Sequence, residues 1–202
     1  MPCEVALASL NDILEQAFAQ LAEGNFENAI DGFSEYLLIE PNEAKAYQGR
    51  AQANFQIRKW TEAISDFRKA TELAAEDLEN WVGLGMSLAM ANEIYEAIDV
   101  FENLLNQNPN CVRGHIQLGT LYYRLGIIRK GHEHMDLGLA SRPSLSERHL
   151  IERLKNEQMA LDKKRFYKPD FEELRRRNKA SGGMLRQFLN FVKNKLQRSK
   201  RS

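Results

Sequence analysis

Apolar residues along most of this chain recur at spacings of three and four, which is the pattern of one buried face of an α-helix. In the stretch AIDGFSEYLL, for example, they fall at Ile30, Phe33 and Leu37. No stretch alternates apolar and polar residues over several positions, as a half-buried β-strand does. The sequence therefore predicts an all-α protein.

The helical pattern repeats every 34 residues. Three stretches align without gaps: GNFENAIDGFSEYLLIEP from Gly24, RKWTEAISDFRKATELAA from Arg58 and NEIYEAIDVFENLLNQNP from Asn92. A fourth and more degenerate copy, GIIRKGHEHMDLGLASRP, follows in phase from Gly126. Prolines at the ends of three copies separate one unit from the next, because proline cannot donate a hydrogen bond inside a helix.

This pattern resembles the tetratricopeptide repeat, whose 34-residue unit is a pair of antiparallel helices. The units are predicted at 10–43, 44–77, 78–111 and 112–145, with small residues at the eighth and twentieth places of each. Those places hold Ala17, Ala29, Ala51, Ala63, Gly85, Ala97, Gly119 and Gly131. The resemblance implies a right-handed α-α superhelix of four helix pairs within residues 1–143.

Residues 144–166 predict a capping helix for this array. Ser144 and Glu147 have the spacing of a capping box, and Leu150, Leu154 and Leu161 make an apolar stripe. Such a cap is polar outside and apolar inside, as the end of a repeat array requires.

The second helix of the fourth unit is expected to need packing from that cap. It contains Gly131 and Gly138, each of which costs about 1 kcal/mol relative to alanine. Residues 167–183, interrupted by Pro169 and ending in two glycines, predict a charged linker.

Residues 184–202 predict a basic amphipathic tail helix, since their apolar residues fall within about 160° of arc. The tail residues taken as functional candidates are Phe188, Val192, Lys193, Lys195 and Arg198. Four uses stay open: docking onto its own repeats or a neighbouring copy, an anionic membrane surface, another protein, or a nucleic acid. Nucleic acid is the least favoured partner, because no base-reading module accompanies the tail.

Charge is divided along the chain. Residues 1–143 carry 11 Lys and Arg against 21 Asp and Glu, whereas residues 144–202 carry 17 against 7, so the net charge of zero hides an acidic body and a basic end. The two cysteines have no paired spacing, which favours a cytoplasmic protein, peripheral at a membrane if the tail binds one. Neither a signal peptide nor a membrane-spanning run is predicted.

Candidate catalytic chemistry is scarce. His132 and His134 are two residues apart and point about 200° apart on a helix, so they are expected to be surface residues that cannot share a metal ion. The stretch GLGMSLA from Gly83 follows no strand, as a phosphate loop or nucleophile elbow must. We therefore predict no catalytic residue, metal site or cofactor, and a protein that is not an enzyme.

The resemblance implies a partner-binding groove lined by the first helix of each unit. Its predicted residues are Phe18, Lys45, Gln52, Phe55, Val82, Met86, Met90, Arg113, Ile116, Tyr123 and Arg124. The aromatic and methionine side chains are the expected anchors and the cations orient polar ends, which suits a hydrophobic helix or an extended peptide. Alternatively, the apolar members pack between neighbouring helices, although together they make a stripe larger than a monomer exposes alone.

Some co-chaperones of this family hold a C-terminal carboxylate with lysine, asparagine and arginine at fixed groove places. Counted from the first or the second unit, those places hold Leu14, Phe18, Gly49, Glu79 and Gly83, or Gln48, Gln52, Gly83, Arg113 and Gln117. Neither set forms the clamp.

The predicted function is a non-catalytic adaptor, scaffold or chaperone-like assembly factor that holds a peptide or helix of a protein partner. The alternative is a peripheral tether in which the basic tail binds an anionic membrane or nucleic acid while the repeats recruit partners.

Overall fold

The computed structural model describes residues 2–166 of the chain, with side chains from Leu10 to Lys163, and every regular element in this range is an α-helix. The helices are α1 (Pro2–Glu23), α2 (Phe26–Ile39), α3 (Ala44–Gln56), α4 (Trp60–Leu73), α5 (Leu78–Met90), α6 (Ile94–Gln107), α7 (Val112–Arg124), α8 (Ile128–Ala140) and α9 (Leu145–Phe166). The all-α prediction is confirmed for these residues. The predicted linker, 167–183, and tail, 184–202, lie outside the described range.

Residues 1–158 form one compact unit, in which the helices follow the 34-residue period. Helices α3, α5 and α7 begin 34 residues apart, at Ala44, Leu78 and Val112. Helices α2, α4, α6 and α8 also begin 34 residues apart, at Phe26, Trp60, Ile94 and Ile128. Each odd-numbered helix up to α7 packs against the even-numbered helix that follows it. Helix α1 begins at Pro2, well before Leu10, where the first repeat unit was predicted to start.

The turn inside each helix pair has one residue in the left-handed conformation, and these residues are also 34 apart. Gly24 and Gly126 have φ of 83° and 73°, while Arg58 and Asn92 have φ of 62° and 68°. Glycine adopts this conformation without cost, but a residue with a Cβ atom does not. The repeat therefore imposes the same backbone on Arg58 as on Gly24.

Phenylalanine rings on the even-numbered helices pack where glycine leaves room on the odd-numbered helices. A Cβ atom built on Gly49 would lie 2.3 Å from Cζ of Phe33, and one on Gly83 would lie 2.3 Å from Cε1 of Phe67. Each of these contacts joins one helix pair to the next. The third such ring, Phe101, instead packs against Gly85 of its own pair, 2.5 Å from a Cβ built there.

A half-buried ion pair joins three consecutive helices. Arg50 on α3 donates two hydrogen bonds to Asp66 on α4, at 2.9 and 2.7 Å, and a third to Ser34 Oγ on α2 at 3.1 Å. The hydrogen bonds to Asp66 raise the pKa of Arg50 above its ordinary value. A bidentate pair of this kind fixes geometry as well as adding energy.

Helix α9 packs against α8 through Ile151. The predicted capping box is present, since Ser144 N donates to Glu147 Oε2 at 2.8 Å and Glu147 N donates to Ser144 Oγ at 3.3 Å. Ile151 is fully buried, and its Cδ1 lies 3.2 Å from where a Cβ on Gly138 would be. Two residues of the predicted stripe, Leu150 and Leu154, pack in the cluster that includes Ile151, whereas Leu161 lies beyond residue 158, outside this compact unit.

Candidate functional site

The odd-numbered helices form a row, because α1 contacts α3, α3 contacts α5 and α5 contacts α7. A pocket of about 320 Å³ opens between α3, α5 and the start of α7. It is lined by Gln52, Phe55, Gln56, Phe67, Glu79, Val82, Gly83, Met86 and Arg113. We call it the α3–α5 pocket.

The floor of the α3–α5 pocket is apolar. Phe55 and Met86 are half-buried and face each other from adjacent helices, and Val82 at the base is 4% exposed. The Phe55 ring is held by an edge-to-face contact with Trp60, with ring centroids 5.0 Å apart. The floor can therefore take an apolar side chain without rearrangement of Phe55.

Phe67 reaches this floor from α4 because Gly83 has no side chain. Any Cβ atom at Gly83 would come within 2.3 Å of the Phe67 ring, so the glycine is what leaves the ring close to the pocket. The sequence prediction missed Phe67, since its place in the repeat is a core position. The signal that could have revealed it is Gly83, which lies in the next repeat unit and has no side chain to cover the ring.

The rim of the pocket is polar. Gln52 and Gln56 lie on α3, and Glu79 on α5 forms an ion pair with Arg113 on α7. Both members of that pair are about half exposed, at 55% for Glu79 and 47% for Arg113, so their attraction is screened by solvent. The rim thus has the neutral amides of α3 on one side and the Glu79–Arg113 ion pair on the other.

Asp77 fixes the start of α5 beside α3. Its carboxylate accepts the backbone N–H of Glu79 at 3.0 Å as an N-cap, and its other oxygen accepts Nε2 of Gln48 at 3.1 Å. Gln48, Gln52 and Gln56 are spaced four residues apart along α3, so they lie on one face of that helix. One carboxylate therefore positions both walls of the pocket.

Five of the predicted groove residues line this pocket. They are Gln52, Phe55, Val82, Met86 and Arg113. Lys45, Met90 and Arg124 are exposed on the same row of helices but do not line it, and Arg124 donates to the carbonyl oxygen of Ala89 at 3.1 Å. That any of these residues binds a partner stays a prediction.

Three predicted groove residues pack within the fold instead. Phe18 makes an edge-to-face contact with Phe33, with centroids 4.9 Å apart, inside the first helix pair. Ile116 is 4% exposed and packs in a cluster with Met135 and Ile151, and it does not line the pocket.

Tyr123 is the third of these residues. It packs against α8, because Gly131 leaves room for its ring and its hydroxyl lies 2.9 Å from Nδ1 of His132. The predicted anchors Phe18 and Tyr123 are thus half-buried packing residues.

A second polar cluster, which sequence reasoning missed, joins α6, α7 and α8. His115 is buried, with Nε2 2.9 Å from the carbonyl oxygen of Pro109 and Nδ1 3.3 Å from Nδ1 of His134. Because a carbonyl only accepts, Nε2 of His115 carries its proton, and Nδ1 of His134 donates to His115. His134 is therefore not the surface residue expected, although His132 does point to a different neighbour, Tyr123.

Tyr122 completes this histidine cluster. Its ring stacks on His134 with centroids 5.5 Å apart, its hydroxyl donates to Glu102 at 2.8 Å, and Lys130 donates to that hydroxyl at 3.3 Å. Burial and the hydrogen bond to Glu102 raise the pKa of Tyr122, whereas burial and the nearby His115 lower the pKa of His134. The cluster links three helices through hydrogen bonds and one ring stack.

Within residues 2–166, no group of three or more His, Cys, Asp and Glu side chains is arranged to hold a metal ion. The helices in that range also include none with the length and hydrophobicity needed to cross a bilayer.

Comparison with known proteins gives partial but consistent matches. A family model described as "Tetratricopeptide repeat" matches residues 79–110. The peroxisomal targeting signal receptor of Candida albicans is 27% identical over 106 residues, which is 50% of this chain and 18% of that protein. The chain spans less than a fifth of the length of the curated relatives it matches.

Two solved structures share the fold. The crystal structure of MamA has a TM-score of 0.63 and 20% identity, covering 65% of this chain and 77% of that one. The first tetratricopeptide-repeat domain of Spaghetti (RPAP3), bound to the HSP90 peptide SRMEEVD, has a TM-score of 0.55 and 21% identity. The match covers 58% of this chain and 93% of that one. At these identities the likeness concerns the fold alone.

Proposed function

We propose that this chain, which matches the tetratricopeptide-repeat model over residues 79–110, acts as a protein-interaction adaptor and holds a segment of a partner protein in the α3–α5 pocket. The observation that carries the proposal is the pocket itself, with an apolar floor and a polar rim on the row of odd-numbered helices. Concave sites of this volume and composition are typical of specific recognition.

The chemistry of the pocket supports binding over catalysis. Its one acid, Glu79, is engaged by Arg113, and none of its nine lining residues is a histidine, cysteine, serine, threonine or lysine. General acid–base or nucleophilic catalysis draws on such groups placed within hydrogen-bond reach of each other. A chaperone-like or scaffolding role is therefore proposed for the chain rather than an enzymatic one.

The relatives support the same class of function. The RPAP3 domain is described as bound to an HSP90 peptide, and the Candida protein is named as a targeting signal receptor. Both names describe recognition of a protein segment, which is what we propose for this chain.

The test uses a random peptide library displayed on phage, selected against the intact chain and then against Met86→Asp. A carboxylate at the pocket floor is expected to abolish binding of the selected peptides, because an apolar side chain would meet a charge there. Leu38→Asp is the matched control, since Leu38 is 86% exposed on α2 and does not line the pocket. Peptides that bind Met86→Asp as well as the wild type would contradict the proposal, provided that both variants keep the wild-type helical circular dichroism.

The alternative function, a tether through the tail, rests on the basic and apolar residues of 184–202 alone. In this alternative, the protein is cytoplasmic and peripheral at a membrane. Deletion of 182–202 should eliminate binding to liposomes of anionic lipid or to single-stranded RNA. Equal binding by the shortened chain would remove this function.

A further inference from the structure

We propose that the α3–α5 pocket recognises an internal segment of its partner in extended conformation, anchored by one apolar side chain. The inference rests on the proposed function and specifies the ligand of the same site. Two features of the pocket carry it: two glutamines without hydrogen-bond partners, and an ion pair that engages its one cation.

Gln52 and Gln56 are exposed, line the pocket, and have no hydrogen-bond partner among the described residues. Gln48, one turn earlier in the same row, is already bound to Asp77. Each free amide offers one carbonyl acceptor and two N–H donors. The pocket therefore presents two sets of main-chain-like groups beside an apolar floor.

The spacing of these amides matches an extended chain. Side chains four residues apart on a helix begin about 5–6 Å from each other. Residues on the same side of an extended chain repeat every about 6.7 Å. Gln52 and Gln56 can thus bond to alternate residues of an extended segment, whereas a bound helix would offer few free backbone groups because its own hydrogen bonds use them.

The ion pair favours an internal segment over a chain terminus. Arg113 is the one cation among the nine lining residues, and it is paired with Glu79. A terminal carboxylate that approaches Arg113 would meet the like charge of the Glu79 carboxylate beside it. Because the two charges cancel, charge complementarity at the pocket selects an uncharged anchor side chain.

The experiment compares two formats of the displayed library, one with random residues between fixed linkers and one ending in a free carboxylate. We expect peptides that lose binding with Met86→Asp to come from the internal format, with a central Leu, Met or Phe. If such peptides appear only with a free C-terminus, this inference is overturned while the proposed function stands. If neither format yields a peptide sensitive to Met86→Asp, the proposed function itself fails.

The glutamine contacts are tested on the best internal peptide, synthesised with both ends blocked. Gln52→Met and Gln56→Met should each weaken binding about five-fold, as expected for the loss of one main-chain hydrogen bond. Gln107→Met is the matched control, because Gln107 is an exposed glutamine at the last position of α6 and does not line the pocket. Unchanged affinity in both pocket variants, or tighter binding of a helix-stapled form of the peptide, would overturn the extended mode.

Discussion

The ring of Phe67 lies against the backbone of Gly83, so close that a Cβ atom on the glycine would come within 2.3 Å of the ring. This contact joins the second helix pair to the third and also gives the α3–α5 pocket part of its depth. The absence of a side chain at Gly83 thus allows both the packing of Phe67 and the depth of the pocket.

Gly83→Ala should destabilise the protein and weaken peptide binding together. Overpacking typically costs about 1–3 kcal/mol, which outweighs the gain of about 1 kcal/mol from replacing glycine in a helix. We expect a net loss of about 1 kcal/mol in the free energy of unfolding, measured by urea denaturation. Gly114→Ala is the control, because its new methyl group would meet only the ends of Leu105 and Leu104, at 3.1 and 3.3 Å. Equal losses of unfolding free energy in the two variants would show that the Phe67 ring does not resist a methyl group at Gly83.

Arg58→Gly should stabilise the protein by about 1 kcal/mol, because a residue with a Cβ atom pays roughly that to adopt the left-handed conformation. Arg58 has φ of 62° at a turn where the first and fourth pairs use glycine. The midpoint of urea unfolding measures the change. Lys59→Gly, one residue later at φ of −82°, should give no such gain. A destabilised Arg58→Gly would mean that the arginine side chain contributes more than its backbone costs.

The Arg50–Asp66 pair should matter far more than the exposed pairs. Arg50→Met is expected to lower the free energy of unfolding by about 3 kcal/mol, because it leaves the buried Asp66 carboxylate without its partner. Arg68→Met removes an ion pair in which both side chains are about half exposed, and should cost less than about 1 kcal/mol. Equal losses, measured by urea denaturation, would show that burial does not separate the two pairs.

Stability should fall as the pH is lowered through the range below 6.5, in part because of His134. Burial first, and then His115 and Lys130, lower its pKa, and Glu133 and Glu102 oppose them. The unfolded chain therefore takes up this proton before the folded chain does. The stabilisation is fully present above pH 6.5 and is lost as the pH falls through the folded pKa.

His134→Phe keeps an aromatic ring against Tyr122 and removes the titrating group, so it should flatten this part of the pH profile of the urea midpoint. His149→Phe alters an exposed histidine and should leave the slope in place. A slope that survives His134→Phe unchanged would assign the pH dependence to other groups.

The sequence predicted most of the fold because the repeat fixes which positions are small. Ala29, Ala63 and Ala97 share one place in the unit, and all three are fully buried. The site was predicted less well, since position in the repeat does not reveal what packs on it. Ile116 has a groove position but is covered in a cluster that includes Ile151 of α9, a helix outside the repeat.

The histidine cluster shows a second limit of sequence reasoning. His115 and His134 are 19 residues apart, and nothing in their local spacing indicates that their Nδ1 atoms meet at 3.3 Å. The same holds for Phe67, which reaches the pocket only because a residue of the next unit lacks a side chain. Contacts between units depend on both surfaces, whereas the periodic pattern describes one surface at a time.

The ladder of phenylalanine and glycine contacts stops before the last helix pair, where Gln117 occupies the place held by Gly49 and Gly83 in the two preceding pairs. Phe101 turns inward to Gly85 of its own pair, so no ring connects the third pair to the fourth in this way. In hydrogen exchange, amides of α7 and α8 should accordingly open at lower free energy than those of α4 and α5. The array would then unravel from its C-terminal side, so that the pocket would lose its edge on α7 before its walls on α3 and α5.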